Sequence, residues 1–480
     1  MAFRNGNRRE GLILPQYIDD YVGENDSVRF FDEMFKEYSD KELGLEYDEN
    51  QVGNPRYNPV AMLKLIAFAY SNGVRSSRKI EKAVNRDLSY IWLTGGLKPD
   101  HKTISKFRKE NEEALHKTLR LVIQHCIRFD LVVGNKLFVD GTKLKADASL
   151  YNSWTKEKIK KHLKKIDKNI KKLLDDHEYN DMKEEGENSY VETEVKEKVE
   201  QLKKFKRKLN HIEKEIESEE DKKNHNTTDT ECRTMRTKKG TNIPGYNGQI
   251  ITDGEHGFIV SAEVVNENND TNQFSTQINN GIDNIGKKCK TAVADAGYYK
   301  IKELKEVLKD GIDVIVPNRE QARNENENYE ENPFSKGNFE YNKEKDIYIC
   351  PAGETLEYKH KHKGNRLYRI EDKSICHSCK HYGDCTKAKN GRSISRNKDE
   401  QLITRVAERY ESDEGQAIYS QRKHKVEGVF GHLKHNLGYR NISLRGLDGA
   451  NIELLLFSIG YNIKRMFNIL EEKKVLKANS

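Results

Sequence analysis

Between Lys136 and Ser149 the chain reads KLFVDGTKLKADAS, a short apolar run that ends on an acid and passes into small, polar and basic residues. Leu137, Phe138 and Val139 are too few for a helix and too apolar for a surface loop, so they read as a strand inside a sheet. Such a strand delivers Asp140 to a strand end. A second run, TAVADAGYY from Thr291, repeats the pattern and ends on Asp295. Strand ends that lie beside one another in a sheet can bring two carboxylates into one site. A chain built this way is therefore expected to hold a central α/β sheet with paired acids at one edge.

The stretches around these strands differ in character. Residues 17 to about 125 read as helical: NPVAMLKLIAFAYSNGV gives a helix from Pro59 to near Gly73, SSRKIEKAVNRDLSYIWL a second, and Asp100 is placed to cap another after Gly95 and Gly96. Arg75, Arg78, Lys79, Lys102, Lys106 and Arg108 on these helices permit a helix-turn-helix, and equally a plain bundle with basic faces. From Ile159 the residues Leu163, Ile166, Ile170 and Leu173 step by four and three, and Val195, Val199, Leu202, Leu209, Ile212 and Ile216 repeat the spacing. That is a helical hairpin with a coiled-coil seam, read as a packing insertion more readily than as a basic arm on DNA.

After about residue 226 strands take over. GYNGQIITD and the run from Phe258 to Val265 flank an Asp253-Gly254 hairpin turn, followed by a polar helix, the Asp295 strand, another helix and IDVIVPN. An antiparallel start running into βαβ units predicts a mixed sheet.

The chain has 480 residues, more than one ordinary core takes, so two to four domains or large insertions are expected. Its 85 Lys and Arg against 78 Asp and Glu leave a net charge of only +7, but the basic residues cluster, as in KKFKRK and QRKHKVEG, in a way that suits a polyanion. No run of eighteen apolar residues occurs and the start lacks a signal-peptide core, so the expectation is a soluble cytoplasmic protein without membrane contact. Four of the seven cysteines fall between Cys350 and Cys385. Cys376 and Cys379 have the spacing of a zinc knuckle, and with Cys350 and Cys385 they make the donor set of a structural Zn²⁺ site; His360, His377 or His381 could replace one of them.

A third acid stands in VEGVFGHLK, where Glu427 shares roughly one helix face with Lys423 and Lys434. Phosphodiester cleavage uses two divalent cations about 4 Å apart, and carboxylates are the ligands that Mg²⁺ prefers. Asp147, Asp229, Asp253 and Asp270 compete for the role. Asp253 is better explained by its turn and Asp270 by capping the next helix, which leaves all four as supporting residues at most.

In combination, PDHKTISKFR, FVDGTKLKADAS, NTTDTECRTMRTKKG, VADAGYY, VEGVFGHLK and the closing RGLDGANIELLLFSIGYNIKRM resemble the blocks of the DDE transposases of bacterial insertion sequences. The resemblance implies an RNase H-like catalytic core over residues 131–317 and 396–470, with a helical N-terminal DNA-binding domain over 1–130. A helical hairpin is inserted at 152–225 and a Cys-rich unit at 318–395. It also implies that Asp140, Asp295 and Glu427 hold Mg²⁺ or Mn²⁺, and that Lys434 with Lys423 or Arg422 positions phosphates. The family signature Tyr-x2-Arg-x3-Glu-x6-Lys is kept from Glu427 to Lys434, whereas Tyr419 and Arg422 lie one residue too far upstream and Lys423 stands in the arginine's place. Lys102, Lys106 and Arg108 are the expected N-terminal DNA contacts. The partners implied are double-stranded DNA, as terminal inverted repeats and target, and a second copy of the chain on that DNA. A metal-dependent endonuclease without strand transfer, or an inert helix-turn-helix regulator, would share much of this pattern.

Overall fold

The computed structural model describes residues 17–45, 56–181, 189–218, 222–237, 239–324 and 332–478. The first 16 residues, the middle of the polar link in the helical hairpin and residues 325–331 of the Cys-rich unit, all read above from sequence, lie outside the described residues.

Six helices come first: α1 (Ser27–Lys36), α2 (Pro59–Ser71), α3 (Ser77–Ala83), α4 (Leu88–Leu93), α5 (His101–Glu110) and α6 (Glu112–Arg128). Their starts follow capping chemistry. The Asn58 side chain accepts the Ala61 N–H and Pro59 takes the first turn of α2, while Asp100 accepts the Thr103 N–H at the start of α5.

The chain then enters β1 (Lys136–Lys145), the short β2 (Ser153–Thr155), α7 (Lys156–Asp181), α8 (Ser189–Ser218), β3 (Asn224–Asn226), β4 (Arg233–Arg236), β5 (Asn242–Asp253), β6 (Ile259–Val265), α9 (Phe274–Ile285), β7 (Thr291–Val293), α10 (Ile301–Lys309) and β8 (Asp313–Ile315). Helices α7 and α8 close on their own cluster of Ile159, Ile166, Leu209, Ile212 and Ile216, the seam that the spacing predicted.

The main sheet has the order β4-β5-β1-β7-β8, with β6 also paired to β5. The β1–β5 and β5–β6 pairs are antiparallel, and β1–β7 and β7–β8 are parallel. The fold is therefore mixed α/β, as the alternation of elements predicted.

A second, five-stranded sheet follows the short α11 (Gln321–Asn324): β9 (Glu340–Asn342), β10 (Ile347–Ile349), β11 (Thr355–His362), β12 (Asn365–Ile370) and, after α12 (Lys373–Ser378), β13 (Ser393–Arg396). Phe339, Tyr348, Leu356, Tyr368 and Ile394 form its small core. The chain returns through α13 (Glu400–Glu411), α14 (Asp413–Ser420), α15 (Gly428–His435) and the long α16 (Leu447–Ala478).

Helix α16 is the keystone of the packing. One continuous cluster of buried apolar residues runs from Phe31 and Tyr70 in the N-terminal helices through Phe138 and Ile250 in the sheet to Phe457 on α16. Gly460 permits the closest approach: a Cβ there would stand 2.7 Å from the Ser71 backbone nitrogen of α2. On the other side, Asn462 accepts the Ile259 N–H at 2.9 Å and donates to its carbonyl at 2.7 Å, and Asn451 accepts the Val264 N–H at 2.6 Å. These amides satisfy edge-strand groups of β6 that would otherwise be buried without partners. No helix among the described residues is long and apolar enough to cross a membrane.

Candidate active site

The parallel register of β1 and β7 pairs Phe138 with Val293. Two residues beyond that pair come Asp140, in the middle of β1 rather than at the strand end expected from the sequence, and Asp295, just past the end of β7. Asp140 is buried on β1 and accepts the Gly141 N–H at 3.0 Å. Asp295 caps a 3-10 turn, Ala296–Tyr298, by accepting the Gly297 N–H at 2.8 Å.

Glu427 arrives from the helical stretch after α14. There the backbone is not α-helical but forms a π-helix over Lys423–Glu427, with the Gly428 N–H bonded to the Lys423 carbonyl five residues back. A π turn absorbs one extra residue. The surplus residue in the Arg422-to-Glu427 spacing is taken up there, and Arg422 faces the same way as Glu427. Its guanidinium lies 3.4 Å from Asp140 Oδ1 and 3.6 Å from Glu427 Oε1, and it donates to the Tyr419 hydroxyl at 3.5 Å.

Arg422 is buried, and its Nε has no hydrogen-bond partner. Burial works against its charge, but Asp140, Asp295, Tyr419 and Glu427 around it together hold its pKa above the ordinary value. All three acids thus act on one buried cation. Lys423, which the signature spacing put in the arginine's place, is exposed to solvent. Lys434, one helical repeat beyond Glu427, donates to Thr142 Oγ1, two residues along β1 from Asp140. Tyr419 packs edge-on against Tyr410, with ring centroids 5.1 Å apart.

Sequence reasoning underrated Asp270. It caps nothing with its side chain; Oδ1 instead accepts from Asn247 Nδ2 at 2.6 Å and Gln249 Nε2 at 2.7 Å, with Lys143 Nζ at 3.7 Å. Gln249 accepts in turn from the Tyr298 hydroxyl, in the turn that Asp295 caps. Strand alternation puts Gly141 and Lys143 on the face of β1 opposite Asp140 and Thr142. Gly141 has to be glycine, because a Cβ would fall 2.5 Å from both Asp270 Oδ1 and Gln249 Nε2. The chain Asp270–Gln249–Tyr298 therefore ties the underside of the Asp140 strand to the Asp295 turn. The signal in the sequence was polar Gln249 and Asn247 inside an otherwise apolar strand.

Of the other acids, Asp253 is wholly buried at its turn, where it accepts the Gly134 and Glu255 N–H groups. Asp229 accepts from the Tyr246 hydroxyl, and Asp147 pairs with Arg445.

Two expectations need correction. Arg108 is buried and donates to the Tyr70 hydroxyl and the Arg75 carbonyl, each at 2.9 Å, so its guanidinium is spent holding α5 to α2 and is closed to DNA. Lys102 and Lys106 are exposed and, with Ser76, Arg78, His101 and Lys109, line an open cleft of about 550 Å³ between α3 and α5.

The second concerns zinc. Cys350, Cys376, Cys379 and Cys385 line one small cavity of about 30 Å³ together with Phe334, Leu356 and Ile370. The backbone N–H groups of Glu354, Arg392 and His381 point at three of the sulfurs. Burial pushes the Cys385 thiol up, and the other three thiols add to the shift. Even so, among the described residues no group of three or more His, Cys, Asp or Glu is arranged to hold a metal ion, so the expected zinc centre is not supported. The spacing brought the thiols to one cavity without closing them into a tetrahedron.

Comparison with known proteins places these features in a class. The family described as transposase domain DUF772 matches residues 16–110, the N-terminal helices, and the family described as transposase DDE domain matches residues 349–467, from the second sheet through Glu427 into α16. Two transposase families thus match separate stretches of one chain, and together they support a DDE transposase of an insertion sequence. Asp140 and Asp295 lie outside both matched stretches. Among solved structures the chain is similar to a piggyBac transposase synaptic complex with hairpin DNA, at 11% identity and a TM-score of 0.33, covering 94% of this chain and 76% of that one. No curated protein matches.

Proposed function

We propose that this chain cleaves phosphodiesters at the ends of its insertion sequence and joins the freed 3′-hydroxyls to target DNA, with Asp140, Asp295 and Glu427 as its catalytic carboxylates. One observation carries the reading: an aspartate within β1, one just past β7 and a helix glutamate surround the buried guanidinium of Arg422. The strand order, antiparallel β6-β5-β1 continued by parallel β7 and β8, supports an RNase H-like core over 131–317 and 396–470. The helices of 1–130, the hairpin at 152–225 and the Cys-rich unit at 318–395 are read as additions to it.

Among the described residues no group of three acids is arranged to hold a metal ion; what supports divalent metal is donor chemistry, three carboxylates around the one charge of Arg422. Asp140, Asp295 and Glu427 would hold Mg²⁺ or Mn²⁺, which supplies an activated oxygen nucleophile and stabilises the leaving oxygen. Asp140 and Asp295 each accept a backbone N–H, from Gly141 and Gly297, which fixes their orientation. Glu427, more exposed, closes the site from the solvent side. Arg422 and Lys434 line the path along β1 and position phosphate by charge, and Lys102 and Lys106 present a basic cleft to duplex ends. Joining two ends is work for two copies of the chain on DNA. In the Cys-rich unit zinc is the ion that four thiols suit; because the described residues do not form that centre, the reading there stops at a thiol-lined structural unit.

The test is Mg²⁺-dependent cleavage and joining of labelled DNA bearing the element's terminal repeats, with Asp140→Ala, Asp295→Ala and Glu427→Ala beside the wild type. Joined products from the wild type, and none from variants that still bind, are expected. Cutting without joining would make the chain a nuclease, and variants that cut like the wild type would remove these residues from the site.

A further inference from the structure

The β11–β12 ribbon reaches beyond the sheet that carries it. Pairing of β10 with β11 stops at Glu357, and pairing of β13 with β12 starts at Arg366. The stretch between them has no neighbouring strand among the described residues. A register shift between Tyr358 and His360 leaves one extra residue, Lys359, and such bulges sharpen the twist of a ribbon. The tip is a two-residue turn with Lys363 at φ 48° and Gly364 at φ 81°, the left-handed pair that matches the twist of a tight hairpin.

Lys359, His360, Lys361, His362 and Lys363 are all exposed, and no acid occurs from Tyr358 to Ile370. The nearest acids are engaged at the base of the ribbon. Asp346 takes Arg366 and the hydroxyls of Tyr341 and Tyr368, and Glu357 lies 3.4 Å from Lys359. The base is stiff as well, because Arg366 stacks over Tyr358 at 4.6 Å and Arg396 over Tyr341 at 3.6 Å. A stiff base with an exposed cationic tip is poorly explained by packing, since among the described residues the tip packs on no other strand.

We propose that this ribbon is a DNA-gripping finger that enters a groove of duplex DNA and fixes its phosphates, apart from the catalytic carboxylates and from the α3–α5 cleft. The major groove is about 12 Å wide and admits a two-stranded ribbon, and the complementary charge is that of the phosphate backbone. The inference rests on the transposase reading for its ligand but on the hairpin's geometry for its place.

The experiment measures binding of the full chain to a labelled 40-base-pair duplex by fluorescence anisotropy across a salt series. The wild type is compared with the triple variant Lys359→Gln, Lys361→Gln, Lys363→Gln. A control of equal charge, Lys287→Gln, Lys288→Gln, Lys290→Gln, lies at the far end of the β7 strand from Asp295. At about 0.9 of slope in log K against log salt per phosphate contact, the finger variant should lose about two to three of slope and bind at least tenfold more weakly at moderate salt. The control should keep the wild-type slope, and Lys→Arg at the same three finger positions should restore it. Equal slopes for wild type and finger variant, or equal losses in finger variant and control, would overturn the finger alone. Preference for single strands over duplex would overturn the groove. If the wild type binds no DNA at all, the transposase reading fails with it.

Discussion

Arg422 stands 3.4 Å from Asp140 and belongs to the same helical segment as Glu427, so a single buried guanidinium links an acid of the sheet to an acid of the helix. Removing it leaves carboxylates facing one another without compensation. Arg422→Gln is expected to reduce cleavage of terminal-repeat DNA by about 10²–10³-fold, the range seen when one preorganised electrostatic donor is lost. Arg422→Lys should recover only part of this, because an ammonium cannot reach both acids as a planar fork does. Full activity in Arg422→Gln would show that the guanidinium serves packing only.

The π-helix makes a sharper prediction. Deleting His424 shortens the segment by one residue and lets it close as an α-helix, in which residues four apart share a face. The deletion should keep Arg422 with the glutamate and retain activity within about tenfold of wild type, as read by end cleavage. Inserting one alanine after His424 turns the glutamate away and should abolish cleavage. Equal loss in both would mean that the segment tolerates no length change and that the π turn is not a register adapter.

Asp270 accepts from Asn247 and Gln249 on β5 beneath the Asp140 strand, and is expected to position the site from there. Asp270→Asn leaves Lys143 beside a neutral partner and disturbs the Gln249–Tyr298 link, at a cost of about 1–3 kcal/mol. Cleavage should fall in kcat with little change in DNA affinity, and Lys143→Met combined with Asp270→Asn should restore thermal stability more than activity. A variant that melts and cleaves like the wild type would show that the network does not position the site.

Asp100 offers a pH test. Its bonds from Thr103, side chain first and then backbone, hold its carboxyl below the usual range. A depressed folded pKa means a contribution to stability that is present above the unfolded pKa near 4 and is lost as pH falls through the folded value. Asp100→Ala should therefore lower Tm at pH 6 and by progressively less toward pH 3. A constant difference across that range would assign the cap to hydrogen bonding independent of charge.

How much of this could be read beforehand depends on how local each cause is. The helix beginning about Pro59, the cap at Asp100, the α7–α8 seam and the apolar strand around Asp140 are written in neighbouring residues, and they were legible; that β1 runs past the acid to Lys145 was not. Arg422 and Lys423 could not be told apart, because spacing presumes a uniform helix and the π turn is a departure from uniformity. Arg108 looked like a surface cation on a basic helix, yet its fate is set by Tyr70 and Arg75, more than thirty residues away. Asp270 was misread for the same reason, its partners Asn247 and Gln249 lying more than twenty residues back on β5. Four cysteines at knuckle-like spacing reached a common cavity, while the ångström-scale closure that a metal needs is beyond what spacing encodes.

Helix α16 seals the N-terminal helices and the edge of the catalytic sheet at once, through Gly460 against Ser71 and Asn462 against Ile259. A polypeptide that stops before Leu447 lacks both contacts. A chain ending short of α16 is thus expected to expose apolar surface on the N-terminal helices and on the sheet together.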